Sequence, residues 1–325
     1  MPLAPIKMKP AYRFGAATPW GGNELKTLYG LDIPDERTGE ALVVSAIDGL
    51  CSTDENGTPL PELLERYGKT LAGERTPTPF PLLLKLLDAR DRLSVQVHPN
   101  DEYALLKEHK LGKTEAWVIL KAEKGARLIY GVKPGTTPEA LRAASVRGAA
   151  VEELLCSVPV REGEVYFIPS GMVHAICEGI VLYELQQSSD VTYRFYDWER
   201  RDAQGKKREL HLDKALEATD VQLESHAAVP VIISRSDSGQ RERLLDTKYF
   251  GLDRLTGCIR FVLTPDPARF SILTALEDGG VEYGGALMKL RAGETALLPA
   301  DGYPLCLTGG CFLLAYPAVS LGTAD

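Results

Sequence analysis

The chain has 325 residues, 44% of them hydrophobic and 25% charged, with a formal net charge of −8. This is the composition of an ordinary folded protein that is long enough for two domains. The acidic balance excludes a general binder of nucleic acid or of anionic membranes, because most of the surface would repel either partner. A local cluster of positive charge must therefore hold any anionic ligand.

The N-terminus is too proline-rich for a signal peptide, and no run approaches the roughly 18 apolar residues of a membrane span. We therefore expect a cytoplasmic protein. The cysteines include no Cys-x-x-Cys pair, which argues against a zinc ribbon or a dithiol redox site and favours buried free thiols. The six cysteines are Cys51, Cys156, Cys177, Cys258, Cys306 and Cys311.

The first part of the chain predicts a strand over 40–45 and then a helix over 61–67, which begins with proline and ends at Gly68. Residues 82–87 form an apolar run whose flanking proline and turn residues favour a strand. Lys85 is the single charge in that run. It is either an edge-strand group or a lysine drawn into a site, and the pattern leaves both open.

Residues 93–98 alternate apolar and polar side chains, so a strand here presents Gln96 and His98 side by side on one face. Pro99 ends this strand, and the Asn-Asp that follows starts a helix predicted over 101–109.

A carboxylate follows this helix in the sequence Lys113-Thr-Glu115. If the segment is extended, the two charged side chains point to the same side. Residues 117–120 and 126–130 then predict a strand pair.

Helices are predicted over 137–144, where a threonine caps a proline start, and over 151–155. Residues 163–174 follow, with a glycine, a five-residue apolar run and Pro-x-Gly. They predict a strand, a tight turn and a second strand that begins with His174.

The stretch 190–197 alternates so that Arg194 shares a face with two neighbouring side chains. Its aromatic surroundings favour a partly buried arginine over an exposed one. Arg200 is a second and weaker candidate for holding an anion, since the loop after it is solvated and rich in lysine and arginine. A helix is predicted over 210–218.

From about Val229 onward, short strands alternate with glycine, proline and aspartate, which predicts a second and smaller β domain. Residues 293–301 repeat the pattern of 163–171 at a constant offset of 130 residues. Pro304 stands where the repeat would place the counterpart of His174. The second domain therefore resembles the first but lacks its histidine.

Four motifs resemble those of the type I phosphomannose isomerases of the cupin superfamily, particularly the short bacterial form. With Pro19-Trp-Gly-Gly, they extend the resemblance over essentially the whole chain. The motifs are Gln96-Val-His-Pro, Lys113-Thr-Glu-Ala-Trp, Pro169-Ser-Gly-Met-Val-His-Ala and Tyr183-Glu-Leu-Gln-Gln-Ser-Ser-Asp-Val-Thr-Tyr-Arg-Phe-Tyr-Asp-Trp.

The resemblance implies a mainly β fold of two cupin-type jelly-roll barrels, with short helical insertions in and after the first. The metal-binding catalytic domain would be residues 1–228, and the degenerate second domain residues 229–325. We expect a monomer or a weak homo-oligomer. The small partner implied is a phosphorylated sugar.

The implied reaction interconverts mannose 6-phosphate and fructose 6-phosphate through a cis-enediol(ate). One Zn²⁺ per chain would stabilise the charge that develops when the proton next to the carbonyl is removed. A site with one carboxylate, two imidazoles and one amide oxygen suits Zn²⁺ and would accept Mn²⁺, Fe²⁺ or Co²⁺. The implied metal ligands are Gln96, His98, Glu115 and His174.

Arg194 and Lys113 are the candidate catalytic and substrate-binding residues, and Lys85 and Arg200 are further substrate-binding candidates. A guanidinium suits a phosphate or the reacting centre. Glu184 is a candidate for proton transfer, but spacing does not select it over Asp190 or a metal-bound water, so the general base stays open.

Two alternatives remain at this stage. One is another metal-cupin enzyme, such as an oxygenase or an isomerase of a different sugar. The other is a catalytically silent sugar-phosphate-binding cupin.

Overall fold

A computed structural model describes residues 2–224 and 226–319. As expected, the fold is mainly β. The strands are β1 Ile6–Lys9, β2 Ala11–Phe14, β3 Thr38–Val44, β4 Thr53–Asp54, β5 Leu82–Ala89, β6 Val95–Val97, β7 Glu115–Ala122, β8 Arg127–Val132, β9 Leu155–Pro159, β10 Val165–Ile168, β11 His174–Ile176, β12 Ile180–Gln187, β13 Tyr193–Tyr196, β14 Val231–Ser236, β15 Gly239–Asp246, β16 Phe250–Thr256, β17 Phe261–Leu263, β18 Ser271–Ala275, β19 Gly279–Tyr283, β20 Ala286–Leu290, β21 Thr295–Leu298, β22 Leu305–Thr308 and β23 Phe312–Pro317. The α-helices are α1 Glu24–Tyr29, α2 Leu60–Ala72, α3 Asp101–Glu108, α4 Pro138–Val146 and α5 Leu212–Ala218.

The strands form four antiparallel sheets. In hydrogen-bonded order, the six-stranded sheet is β10-β7-β12-β5-β3-β2 and the five-stranded sheet is β13-β6-β11-β8-β9. The other two are the eight-stranded sheet β14-β15-β16-β23-β18-β21-β1-β4 and the four-stranded sheet β17-β22-β19-β20. These first two sheets carry most of the predicted site residues, whereas His98, Lys113 and Arg200 lie between strands. The site is therefore built between the six-stranded and five-stranded sheets.

The strand period explains why β5 is buried along its whole length. Leu84 and Leu86 pack in the largest apolar cluster, whereas Leu87 packs in a second cluster on the opposite face of the sheet. Lys85 is therefore a buried group on a central strand, with β3 on one side and β12 on the other. Of the two readings that the sequence left open, the structure favours a lysine drawn into the site.

The two halves of the chain share one core. β1, at the N-terminus, pairs with β21 through Ile6 and Leu297, and the ring of Phe80 stacks on Phe270 with centroids 4.7 Å apart. The largest apolar cluster contains residues from both the six-stranded and the eight-stranded sheets. The eight-stranded sheet contains β1 and β4 as well as strands from the second half, so a boundary at 228/229 cuts through a shared sheet. Met1, Ser225 and residues 320–325, which the predicted domains include, lie outside the described residues.

The internal repeat has a structural counterpart. β10 occupies 165–168 and β21 occupies 295–298, the same offset that the sequence shows. Gly163 and Gly293, which precede these strands, have φ of 84° and 83°, a conformation that favours glycine.

One predicted pairing is wrong. The strands predicted at 117–120 and 126–130 exist as β7 and β8, but they belong to different sheets: β7 pairs with β10 and β12, and β8 pairs with β9 and β11. The connection crosses from one sheet to the other instead of closing a hairpin. Apolar alternation identifies strands but does not say which strands pair.

Most predicted helices are present with shifted ends. α2 continues through Gly68, where φ is 50° and the helix kinks, and runs to Ala72. The helix predicted over 151–155 is a 3₁₀ helix, Gly148–Leu154. All six cysteines are free, but only Cys177 and Cys258 are fully buried. No helix of the described residues combines the length and apolarity that crossing a membrane requires.

Candidate metal centre

Three buried side chains converge between the two sheets. His98 and His174, at the end of β6 and the start of β11, meet Glu115 at the start of β7, and one donor atom from each lies within 4.8 Å of the others. Nε2 of His98 is 3.3 Å from Oε1 of Glu115, and Nε2 of His174 is 3.9 Å from Oε2. All three side chains are about 1% exposed. The distances are those of a donor set around a common point.

Backbone carbonyls fix the orientation of both imidazoles. Nδ1 of His98 lies 2.9 Å from the carbonyl oxygen of Val191, and Nδ1 of His174 lies 2.8 Å from that of Met172. A carbonyl can only accept, so each Nδ1 carries the proton and each Nε2 presents its lone pair to the cluster. Burial, followed by the charge of Lys113, lowers the pKa of His98 to about 3, so the ring is neutral, as a metal ligand must be.

The carboxylate of Glu115 is ionised although it is buried. Burial alone would raise its pKa, but Lys113 and the two histidines outweigh burial and hold the pKa well below its usual range. Nζ of Lys113 lies 2.7 Å from Oε1 of Glu115 and 3.2 Å from Nε2 of His98. As predicted, the lysine and the carboxylate point to the same side. The ammonium group of Lys113 thus lies beside the point where the donor atoms meet.

Oε1 of Glu115 is buried, and its nearest partner in the described chain is the ammonium group of Lys113. An ionised carboxylate beside two imidazole lone pairs fits a divalent transition-metal ion, because Zn²⁺ and its neighbours take nitrogen and oxygen ligands. The residues present therefore fit a divalent metal ion.

Gln96 lies next to the cluster but presents its nitrogen to it. In the five-stranded sheet Gln96 stands directly opposite His174, and its Nε2 is 3.4 Å from Nε2 of that histidine. Its Oε1 accepts a hydrogen bond from Ser94 at 3.1 Å. The amide must turn over for its oxygen to face the other donors.

A second row of buried charges crosses the six-stranded sheet beside the cluster. Lys85 pairs with Glu184 at 3.0 Å and with Glu40 at 3.5 Å, and Arg13 pairs with Glu40 at 3.3 Å. The indole Nε1 of Trp117 donates to Oε2 of Glu184 and to Oε2 of Glu115, both at 3.1 Å. The indole of Trp117 thus links this row to Glu115 in the candidate metal centre.

The buried charges perturb one another. Burial and then the charge of Glu115 raise the pKa of Glu184. For Lys85 burial acts downward, but Glu184 and Glu40 outweigh it and raise its pKa to about 12. The lysine is therefore charged, whereas Glu184 is the carboxyl group in this site that most readily holds a proton.

A cavity of about 120 Å³ adjoins the cluster. Gln96, Lys113, Lys85 and Arg194 line it, so the structure brings these four predicted residues together. Arg194 stands opposite Gln96 across the β6–β13 pair. The cavity is thus bounded by both sheets.

The structure does not bring Arg200 into this cavity. Its guanidinium binds Asp197 at 3.3 Å and Asp91 at 3.5 Å, and it donates to the carbonyl oxygen of Arg92. Arg208 lines the cavity instead.

Sequence reasoning did not find Glu40, Arg13 or Arg208. No local motif singles out any of the three, because the role of each arises from contacts between separate segments of the chain. One signal was available for Glu40, a carboxylate inside a strand that is otherwise apolar.

This fold and site define a class: a β protein with a buried histidine–glutamate centre that can hold a metal, beside a cavity with basic walls. A sequence model described as "Phosphomannose isomerase type I, catalytic domain" matches residues 10–116. The chain is 45% identical to a mannose-6-phosphate isomerase of Bacillus subtilis, over 94% of this chain and 99% of that protein. The chain belongs to the type I phosphomannose isomerase family.

Other relatives agree. A mannose-6-phosphate isomerase of Streptococcus mutans is 38% identical over 86% of this chain and 88% of its own. Among solved structures, the mannose 6-phosphate isomerase from Bacillus subtilis superposes with a TM-score of 0.89 at 32% identity, covering 97% of this chain and 99% of that one. The phosphomannose isomerase from Salmonella typhimurium, at 16% identity and a TM-score of 0.77, shows the same fold.

Proposed function

We propose that the protein is a metal-dependent aldose-ketose isomerase that interconverts mannose 6-phosphate and fructose 6-phosphate. The observation that carries the proposal is the convergence of His98, Glu115 and His174 beside a cavity with basic walls. Family membership supports the same substrate, since the relatives carry that activity in their names.

The ligand set proposed is His98, Glu115 and His174, with Gln96 as a fourth ligand through its amide oxygen. Zn²⁺, one per chain, suits these donors. When bound, the ion would supply electrostatic stabilisation of negative charge on the substrate oxygens, a contribution of several kcal/mol.

The residues of the chain have separate tasks in this proposal. Arg194 holds the phosphate group or the reacting end of the sugar with its guanidinium. Lys113 presents an ammonium group where charge develops on the sugar oxygens, and Lys85 keeps Glu184 in place. With its raised pKa, Glu184 is the side chain best suited to hold the transferred proton, which gives the open role of the general base a candidate.

We also propose that the sheets form two cupin-type barrels. Residues 1–228 would make the catalytic domain and residues 229–325 a degenerate one. The repeat of β10 and β21 and the presence of Pro304 in place of a histidine support this duplication.

The test is isomerisation of mannose 6-phosphate by purified protein before and after treatment with a chelator. Activity should fall to background and return when Zn²⁺ is added back. Activity that is indifferent to metal removal would end the proposal. Binding of mannose 6-phosphate without turnover would select a silent binding protein, and iron-dependent oxygen uptake would select an oxygenase.

A further inference from the structure

The charges around the cavity do not balance. Five basic and three acidic side chains line it. Lys85 forms ion pairs with Glu40 and Glu184, and Arg13 forms one with Glu40. Asp190 pairs with Lys110 at 2.6 Å. Lys113 is engaged by Glu115. Among the residues that line the cavity, the excess positive charge therefore rests on Arg194 and Arg208; Asp197, which does not line it, faces Arg208.

Each of these arginines has a buried N–H group without a hydrogen-bond acceptor among the described residues. Arg194 makes no ion pair with any residue in 2–224 or 226–319, and its buried Nε has no acceptor there. Nη1 of Arg208 is also buried, and among the described residues it forms one long ion pair, 3.6 Å to Oδ1 of Asp197, without a hydrogen bond. Arg200 binds that same oxygen at 3.3 Å. Arg200 and Arg208 thus share the carboxylate of Asp197. Among the described residues, Nε of Arg194 and Nη1 of Arg208 have no hydrogen-bond acceptor.

The fold holds the two arginines together in spite of their repulsion. The backbone N–H of His211 donates to the carbonyl oxygen of Arg194 at 2.9 Å, and the N–H of Arg194 donates to Nδ1 of His211 at 3.2 Å. These bonds fasten the segment that carries Arg208 alongside β13. Burial, and then the charge of Arg208, lower the pKa of Arg194. Asp197 offsets part of this repulsion, but buried donors without acceptors remain costly unless an anion completes the site.

We propose that Arg208 is the second arm of a two-arginine clamp, with Arg194 as the first, that binds the phosphate group of the substrate. This rests on the proposed isomerase function, which supplies a phosphorylated sugar. A phosphate dianion brings three acceptor oxygens and two negative charges, which match the free donors and the surplus charge of the pair. The segment after β13 thereby selects phosphorylated over unphosphorylated sugars.

The first experiment measures binding of inorganic phosphate to the full-length protein by calorimetry. Arg208→Gln should weaken phosphate binding at least about tenfold, the effect of losing one charge-assisted contact. Arg208→Lys keeps the charge but loses the bidentate geometry of the guanidinium, so its affinity for phosphate should lie between those of Arg208→Gln and wild type. The matched control is Arg201→Gln, because Arg201 is exposed in the same segment and, among the described residues, its guanidinium donates only to the carbonyl oxygen of Gly205. The control should bind phosphate as wild type does.

The second experiment separates the clamp from a structural role. In Arg208→Gln, KM for mannose 6-phosphate should rise at least about tenfold while kcat changes little, because the lost contact is present in ground state and transition state alike.

Wild-type affinity for phosphate in Arg208→Gln, or no phosphate binding by wild type, would overturn the clamp. So would an equal loss of phosphate binding in Arg201→Gln. If phosphate binding depends on Arg208 but mannose 6-phosphate is not isomerised, the clamp stands and the proposed function falls.

Discussion

At the scale of single residues, the centre depends on side chains that hold the ligands in place. The indole of Trp117 is 1% exposed and touches two carboxylates, so one N–H serves both Glu115 and Glu184. Lys85 and Lys113 supply the buried positive charge that lets these carboxylates stay inside the protein. Each of these contacts can be removed singly.

Trp117→Phe removes the indole N–H and keeps most of the ring. Glu115 then loses the group that orients Oε2, so metal affinity should fall about 10- to 100-fold, as for other partners of metal ligands. The measurement is competition between the protein and a metal-binding dye. An unchanged dissociation constant would show that the ligand is positioned without the indole.

Lys85→Met leaves Glu184 and Glu40 buried without their shared cation. We expect a loss of about 3–5 kcal/mol in the free energy of unfolding, the cost of breaking a buried ion pair from one side. The matched control is Lys69→Met, whose partner Glu74 lies 2.6 Å away on an exposed surface and whose loss should be small. Urea unfolding measures both variants, and equal midpoints would contradict the role assigned to the buried lysine.

At the scale of elements, α1 is anchored to β5 by one carboxylate. The N-cap residue Asn23 makes no side-chain capping bond, and the backbone N–H of Glu24 instead donates to Oδ2 of Asp88 at 2.7 Å. Burial, and secondarily the charge of Glu24, raise the pKa of Asp88 to about 6. This element contact is therefore sensitive to pH.

The sign of this dependence follows from proton binding. Between the ordinary pKa of Asp88, 3.8, and about 6, the folded state binds more protons than the unfolded state, so this group makes stability fall as pH rises. Asp88→Asn cannot titrate and can still accept the bond. The unfolding free energy of wild type relative to Asp88→Asn should fall between pH 4 and pH 7 in thermal or urea unfolding. A constant difference would contradict the raised pKa.

The sequence predicted most elements because their signals are local. Asn100 caps α3 by accepting from the N–H of Tyr103, and Thr137 caps α4 by accepting from that of Ala140. Alternation placed His98 and Gln96 side by side. Pairing was harder, because β7 and β8 have the pattern of a hairpin but lie in different sheets, and no local pattern records that choice.

The candidate site was predicted in part for the same reason. The proposed ligands lie in motifs, and three of them meet in the structure. The row from Arg13 through Glu40 to Lys85 was not visible, because its members come from three strands distant in sequence. The same limit explains why sequence reasoning named Arg200 and did not consider Arg208, because no local pattern shows that His211 bonds to Arg194 and brings Arg208 to the cavity.

At the scale of the whole molecule, the shared core should couple the two halves. All three tryptophans, Trp20, Trp117 and Trp198, lie in the first half, so their fluorescence reports on that half alone. Phe270 belongs to the second half, is fully buried and stacks on Phe80. A change at Phe270 should therefore be detected in the first half.

Phe270→Ala should lower the free energy of unfolding by about 3–5 kcal/mol through the cavity it creates. The tryptophan fluorescence and far-UV circular dichroism midpoints should shift together in urea, because one cooperative unit unfolds. A fluorescence transition that stays at the wild-type midpoint would show that the first half is stable by itself.

The central claim is that His98, Glu115 and His174 hold one metal ion on which isomerisation depends. The most direct measurement titrates metal-stripped protein with Zn²⁺ and follows the conversion of mannose 6-phosphate. The rate should rise to a plateau at one equivalent per chain, and it should stay at background in His174→Ala but recover in His226→Ala, whose imidazole is 82% exposed. A full rate before any metal is added, or an unimpaired titration in His174→Ala, would contradict the account.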